Sequence, residues 1–141
     1  MKVSLEAARD LIARGHAKAA GFDKAVTIAI VDEGGYLVAI ERMDGARPLA
    51  PSIATAKAYT AAIMQRPTTM LKGLSEDEPM FFSQIGRMGQ HEIVAVEGGI
   101  PIRKDGEILG GIGVSGATAE EDHQICESVL SDAGYDADFA G

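Results

Sequence analysis

Apolar residues recur at three- and four-residue steps near the start of the chain, which is the spacing of one face of an α-helix. The members of this periodic set are Leu5, Ala8, Ile12, His16 and Ala19. Ser4 precedes the run and is suited to cap its first turn, while Gly21 is suited to end it. The pattern therefore predicts a first amphipathic helix that carries a histidine on its apolar side.

Runs of β-branched and apolar residues follow this helix, with glycine-containing turns between them. The turns hold Gly34-Gly35, Gly98-Gly99 and Asp105-Gly106, where glycine permits the positive φ angles of tight hairpins. The pattern predicts hairpins rather than strand–helix–strand crossovers. The five predicted strands are Ala25–Asp32, Tyr36–Met43, Glu92–Glu97, Ile100–Arg103 and Glu107–Val114.

Further helices are predicted between and after the strands. Ser52 is suited to cap a second, alanine-rich helix that ends near Gln65. The segment from Pro67 to Gln90 is less regular, with Thr68 as a candidate cap and a short helical piece from Met80. We expect the alanines of the second helix to allow tight packing.

The last helix has the clearest local signature. Thr118 and Glu121 form a capping-box pair ahead of an apolar-periodic run that ends before Gly134. The predicted order α-β-β-α-(α)-β-β-β-α is typical of an α+β fold with an antiparallel sheet. No linker or repeat divides the chain, so residues 1–141 are predicted to form a single domain.

Composition narrows the classes of function. The chain has 141 residues and a formal net charge of −8, which disfavours nucleic acid and anionic membrane surfaces as partners. No apolar run approaches the length of a membrane span, and none near the N-terminus resembles a signal peptide. The single cysteine, Cys126, cannot form an intramolecular disulfide and is expected in the core. We therefore expect a cytoplasmic protein.

Two motif matches around the last predicted strand do not fit the chemistry they suggest. Gly111–Gly116 matches G-x-G-x-x-G, but no further strand follows the last helix to complete a dinucleotide fold, so neither a nicotinamide nor a flavin cofactor is expected. Ser115 nearly completes a nucleophile elbow, but His123 is the only histidine after it, and a hydrolase would place an acid and then a histidine later in a much longer chain. Ser115 is better interpreted as a polar group facing a small pocket near a helix N-terminus, where an anionic ligand group is favoured.

The histidines, Lys57 and Asp122 are the polar residues with a possible functional role, and each also has an ordinary structural interpretation. His91 and His123 lack the spacing of a zinc site. His16 lies on the apolar side of the first helix, where it either packs as a neutral imidazole or ligates the metal of a flat cofactor. Lys57 is either a surface lysine with a buried stem or a pocket cation. Asp122 either complements the helix dipole or acts in a site.

Several short motifs, taken in order, resemble the GlcG/HbpS family, which includes the C-terminal domain of PduO-type corrinoid adenosyltransferases. The resemblance covers nearly the whole chain, from the first helix to the last. The motifs are Val31–Gly35, Arg42–Gly45, Ala56–Ala58, Gly98–Pro101 and Gly113–Gly116, followed by Asp122.

This resemblance implies a profilin-like α+β domain with a five-stranded antiparallel sheet flanked by helices. It also implies homo-oligomers, from dimers to octamers. His16 is similar to the histidine that ligates haem iron axially in PduO-type domains, so haem is the implied cofactor and no other metal is expected. The residues that match the family's shared pocket are Arg42, Asp44, Lys57, Gly98, Gly99, Ser115 and Asp122.

Three functions remain open from the sequence. The leading prediction is a cytoplasmic protein that binds haem or a related tetrapyrrole through His16. The second is a small enzyme of lyase or hydrolase type on a carboxylated or hydroxylated metabolite of a catabolic pathway, with Lys57 or Asp122 as acid or base and Arg42 as anchor. The third is an accessory or assembly protein whose pocket is an oligomer interface.

Overall fold

The chain folds as hairpin pairs of strands with helices before, between and after them. The computed structural model describes residues 2–139. A 3-10 turn, Thr68–Leu71, links the second and third helices. The remaining elements are α1 (Leu5–Gly21), β1 (Thr27–Asp32), β2 (Leu37–Arg42), α2 (Ala50–Met64), α3 (Lys72–Asp77), α4 (Pro79–Ile85), β3 (Gly99–Lys104), β4 (Glu107–Ser115) and α5 (Ala119–Asp132).

The strands form one antiparallel sheet in the spatial order β2-β1-β4-β3. This arrangement confirms the predicted α+β class with an antiparallel sheet. The prediction of five strands is wrong, because the described residues form a sheet of four. Within residues 2–139, no helix combines the length and apolar character needed to cross a bilayer.

The predicted strand Glu92–Glu97 is an irregular segment that packs against α2. The backbone N–H of Val94 donates to the hydroxyl of Thr60, 3.0 Å away, instead of to a neighbouring strand. Ile93 is buried in a small cluster with Tyr59 and Leu71. Apolar alternation therefore reflects burial beneath a helix here, because the backbone has found a side-chain partner rather than a ladder.

Alternation along the strands gives the sheet two different faces. One face packs large aliphatic side chains, including Ile28 and Ile112, against α1 and α5. The other face presents Ala29 and Val31 to Ala58 and its alanine neighbours on α2. The larger core therefore lies between the sheet and the pair α1 and α5.

Glycines on β4 bring α2 unusually close to the sheet. A Cβ atom at Gly113 would lie 2.1 Å from the carbonyl oxygen of Ala54, and one at Gly111 would lie 2.3 Å from that of Ala58. Real Cβ atoms do not approach backbone this closely, so only glycine fits at these positions. The alanines of α2 and the glycines of β4 together set this short separation.

Local capping signals were predicted with mixed success. Ser4 accepts a hydrogen bond from the Ala7 N–H at 3.0 Å, and Thr118 forms the predicted capping box with Glu121. Ser52 does not cap α2, because the helix already begins at Ala50. Thr68 does not cap a helix either, since its hydroxyl accepts a hydrogen bond from Gly99 N–H at 3.1 Å.

Candidate functional site

A buried ion pair joins α2 to α5 at one end of the sheet. Lys57 is 2% exposed and Asp122 is 3% exposed. The Lys57 ammonium donates to the Val114 carbonyl at 2.8 Å and to Asp122 Oδ2 at 3.1 Å. Asp122 Oδ1 accepts from the Ala117 N–H at 3.0 Å, so both carboxyl oxygens have a partner. This pairing satisfies the main condition for burying two charges.

Gly98 leaves the space that this ion pair occupies. Its φ angle of +115° suits glycine, and a Cβ atom there would lie 2.8 Å from Asp122 Cβ and 2.9 Å from Lys57 Nζ. Its carbonyl oxygen accepts a hydrogen bond from the Cys126 thiol at 3.3 Å. Burial raises the pKa of that thiol, so Cys126 stays neutral. Its side chain packs in the hydrophobic core.

Two opposing effects set the protonation of Asp122. Burial raises the pKa of its carboxyl above the ordinary value, because an ionised carboxylate loses hydration. The positive charge of Lys57, and hydrogen bonds from Lys57 and the Ala117 N–H, oppose that rise without cancelling it. Asp122 is therefore more easily protonated than an exposed aspartate.

A small pocket of about 180 Å³ lies beside this ion pair. The start of α2 forms one wall, and the turn from β4 into α5 forms the opposite side. Asp122 reaches the pocket from α5. The polar lining residues are Arg47, Ser115 and Asp122, and the apolar ones include Leu49 and Ile53.

Three polar side chains stand in a row across the sheet at the pocket end. Thr27 on β1 pairs in register with Ser115 on β4 and with Arg42 on β2, which places all three on the α2 face. The Thr27 hydroxyl oxygen is fully buried and has no hydrogen-bond partner among the described residues. The hydroxyl groups of Thr27 and Ser115 therefore lie side by side on the α2 face of the sheet, at the end nearest the pocket.

The predicted pocket residues divide into two groups. Lys57, Gly98 and Asp122 are in mutual contact, and Gly99 and Ser115 lie beside them at the ends of β3 and β4. Arg42 instead donates to the Ala46 carbonyl oxygen, with its Nη2 atom at 2.7 Å, and so braces the loop after β2. Asp44 is exposed within that same loop.

His16 lies on α1, facing the edge strand β2. Its side chain is half-buried, and its Nε2 atom is 3.3 Å from the Glu41 carbonyl oxygen. The buried positions of the apolar face, Ala8, Ile12 and Ala19, lie deeper than the histidine. His16 is thus at the border of the core, with part of its ring open to solvent.

The other two histidines have partners of their own. His91 packs edge-on against Tyr59, with 5.2 Å between the ring centroids. His123 Nε2 lies 3.5 Å from a Glu127 carboxyl oxygen one turn later on α5. Across residues 2–139, no group of three histidine, cysteine or acidic side chains is close enough to hold a metal ion.

Sequence reasoning missed two residues of the pocket region. Arg47 lines the pocket from the loop before α2, although it belongs to no motif. Thr27 is a buried hydroxyl at the start of β1, and the next four residues of that strand are apolar. A polar residue inside an apolar strand is the signal that marks such a position, because buried hydroxyls require a partner.

Comparison with known proteins gives the family. The family model described as "Haem degrading protein HbpS-like" matches residues 3–131. GlcG of Escherichia coli (strain K12) is 36% identical over 113 residues, which cover 80% of this chain and 81% of GlcG.

Solved structures share the fold. A double mutant of Streptomyces reticuli HbpS has a TM-score of 0.84 and 28% identity, covering 95% of this chain and 88% of that one. A structure described as a PduOC:heme complex has a TM-score of 0.87 and 24% identity, covering 97% of this chain and 99% of that one. The family match and these relatives confirm the resemblance predicted from the motifs, and this chain belongs to the HbpS-like family.

Proposed function

We propose that this protein binds haem or a related tetrapyrrole, with His16 as the axial ligand of the iron. The main support for this proposal is the position of His16, whose imidazole is half-buried on the outer edge of α1. The HbpS-like family match supports a haem-related ligand, and so does the relative whose structure holds haem.

The surface around His16 fits a flat ligand. Ala13, Ala17 and Ala20 are exposed and follow the helical spacing that places them on the same face as His16. Their methyl groups do not project far from the helix, so a planar ring has room beside the imidazole. This face is consistent with a tetrapyrrole lying along α1.

The hydrogen bond of His16 suits a metal ligand. A carbonyl oxygen only accepts, so His16 Nε2 donates to Glu41 and a neutral ring keeps its lone pair on Nδ1. Histidines that bind metals commonly use one ring nitrogen in this way, which fixes the tautomer and the ring orientation. The backbone of β2 therefore prepares His16 for ligation.

Haem also carries two propionate groups, which require local positive charge on a chain of net charge −8. Arg9 is exposed and lies two turns before His16 on the same helical face. A guanidinium pairs with a carboxylate through two parallel hydrogen bonds. Arg9 is therefore the residue we assign to a propionate, and a bound haem would supply an iron centre whose axial ligand influences its redox and ligand-binding behaviour.

An absorbance titration of the purified protein with haemin tests this proposal. We expect a saturable Soret shift that ends at one haem per chain. Metal-free protoporphyrin IX, which has the same ring and propionates, is the matched control and should bind more weakly because it offers no iron to His16. A haemin titration without saturation, or equal affinity for the two ligands, would contradict ligation.

A further inference from the structure

The pocket beside Lys57 and Asp122 shares no lining residue with the His16 surface. We propose that it binds a short organic monocarboxylate that also carries a hydroxyl group. Arg47 holds the carboxylate, while Ser115 and Asp122 hold the hydroxyl. None of these residues belongs to the helix face assigned to the tetrapyrrole.

The first support is an unused hydroxyl in the pocket wall. Ser115 is 6% exposed, and its side chain has no hydrogen-bond partner within residues 2–139. Its cross-strand neighbour Thr27 also has a buried hydroxyl oxygen that lacks a partner there. Ser115 lines the pocket, whereas Thr27 lies behind it, so the Ser115 hydroxyl is the one available to donate to or accept from a ligand there.

The second support is the charge around the pocket. Arg47 is exposed at the rim, and its guanidinium makes no ion pair or hydrogen bond with any described residue. Lys57 and Asp122 offset each other through their contact at 3.1 Å. The site therefore has a net charge of about +1, which matches a single carboxylate better than a phosphate dianion.

The third support is the acceptor that Asp122 presents. Its two carboxyl oxygens accept one hydrogen bond each from Lys57 and Ala117, and a carboxylate has room for about four. A ligand hydroxyl can donate to Asp122 and accept from Ser115 at the same time. A second ligand carboxylate in that place would instead meet the negative charge of Asp122.

The volume limits the size of the ligand. The pocket volume of about 180 Å³ is below the roughly 300–1,000 Å³ of pockets that hold drug-sized ligands, so the ligand is small. A three-carbon hydroxy acid has six non-hydrogen atoms and fits that space. Leu49 and Ile53 give its carbon chain an apolar wall.

Titration with sodium L-lactate, followed by backbone amide chemical shifts, tests the site. We expect saturable shifts at the non-proline residues of 47–53 and at 115–117, with a Kd on the order of 1 mM, which corresponds to about 0.7 kcal/mol for each ligand atom. Arg47→Gln should weaken binding at least tenfold, that is by about 1.4 kcal/mol or more, and Ser115→Ala about threefold to tenfold. Arg66→Gln, an exposed arginine beyond the other end of α2, is the matched control and should bind like the wild type.

Two further ligands and one variant distinguish an incorrect site from an incorrect ligand class and from a failure of the haem proposal. Propionate lacks the hydroxyl and should bind several-fold more weakly, while inorganic phosphate should bind more weakly than lactate. Unsaturated shifts, or an unchanged affinity in Arg47→Gln, would overturn the site, and tighter binding of propionate or phosphate would overturn the assigned ligand class. His16→Ala should leave lactate binding unchanged, so the outcome for this pocket does not depend on haem.

Discussion

Lys57 Nζ and Asp122 Oδ2 lie 3.1 Å apart, with both side chains almost fully removed from solvent. The contact connects α2 on one face of the sheet with α5 on the other. A buried pair of this kind contributes little relative to apolar residues of the same shape, yet losing one partner leaves an uncompensated charge. The pair therefore makes the pocket end of the molecule sensitive to single substitutions.

Replacing Lys57 with Met should destabilise the protein by about 3–5 kcal/mol at neutral pH, because Asp122 would remain buried without its cation. Urea unfolding measures this loss. The double variant Lys57→Met/Asp122→Leu should recover much of it, since both charges are then absent. Lys72→Met is the control, because Lys72 is well exposed and its contact with Glu76 is 4.0 Å long. A loss below about 1 kcal/mol for Lys57→Met would contradict the structural role of the pair.

Gly113→Ala should destabilise the fold by about 3 kcal/mol, at the upper end of ordinary overpacking costs. The added methyl group would lie 2.1 Å from the Ala54 carbonyl oxygen and would push α2 away from β4. Gly73→Ala on α3 is the matched control, because no atom lies within 4 Å of its added methyl group. Alanine there should be neutral or stabilising by up to about 1 kcal/mol. Equal thermal unfolding of both variants would show that α2 does not need the β4 glycines.

Asp136 should make folding sensitive to acid. The Gly106 N–H, followed by the Asp105 N–H and the Arg103 guanidinium, lowers the pKa of Asp136 below its ordinary value of 3.8. Its stabilising contribution is therefore complete above that ordinary value and is lost as the pH falls through the lower, folded-state pKa.

Asp136→Asn should accordingly reduce stability at neutral pH and flatten the loss of stability on acidification. Unfolding by urea between pH 7 and pH 2.5 measures both effects. Asp77→Asn, at the end of α3, is the comparison substitution and should keep the wild-type pH profile. An unchanged acid profile in Asp136→Asn would be inconsistent with the hydrogen bonds of the β3–β4 turn.

The features that sequence predicted well depend on neighbouring residues. Ser4 and Thr118 cap their helices because the N–H groups they satisfy are three residues away. The Asp105-Gly106 turn forms because both residues adopt positive φ angles in a tight hairpin. Such local chemistry needs no knowledge of the rest of the fold.

The features that sequence predicted poorly depend on distant partners. Residues 92–97 have the composition of a strand, but the Thr60 hydroxyl takes a backbone hydrogen bond that a ladder would need. The burial of Lys57 depends on Asp122, 65 residues away. Arg47 lines the pocket together with Ser115, which is 68 residues later in the chain. Oligomer formation and a cytoplasmic location stay predictions from the family resemblance and the composition.

The haem affinity of His16→Ala tests the central proposal most directly. If His16 ligates the iron, the substitution should raise the Kd for haemin more than about tenfold, since loss of even an indirect partner of a metal ligand costs 10- to 100-fold. His91→Ala is the matched control, because His91 is also half-buried but packs against Tyr59, and it should keep the wild-type Kd and Soret position. Haemin binding by His16→Ala with the wild-type Kd and an unchanged Soret position would contradict the assignment of His16 as the axial ligand.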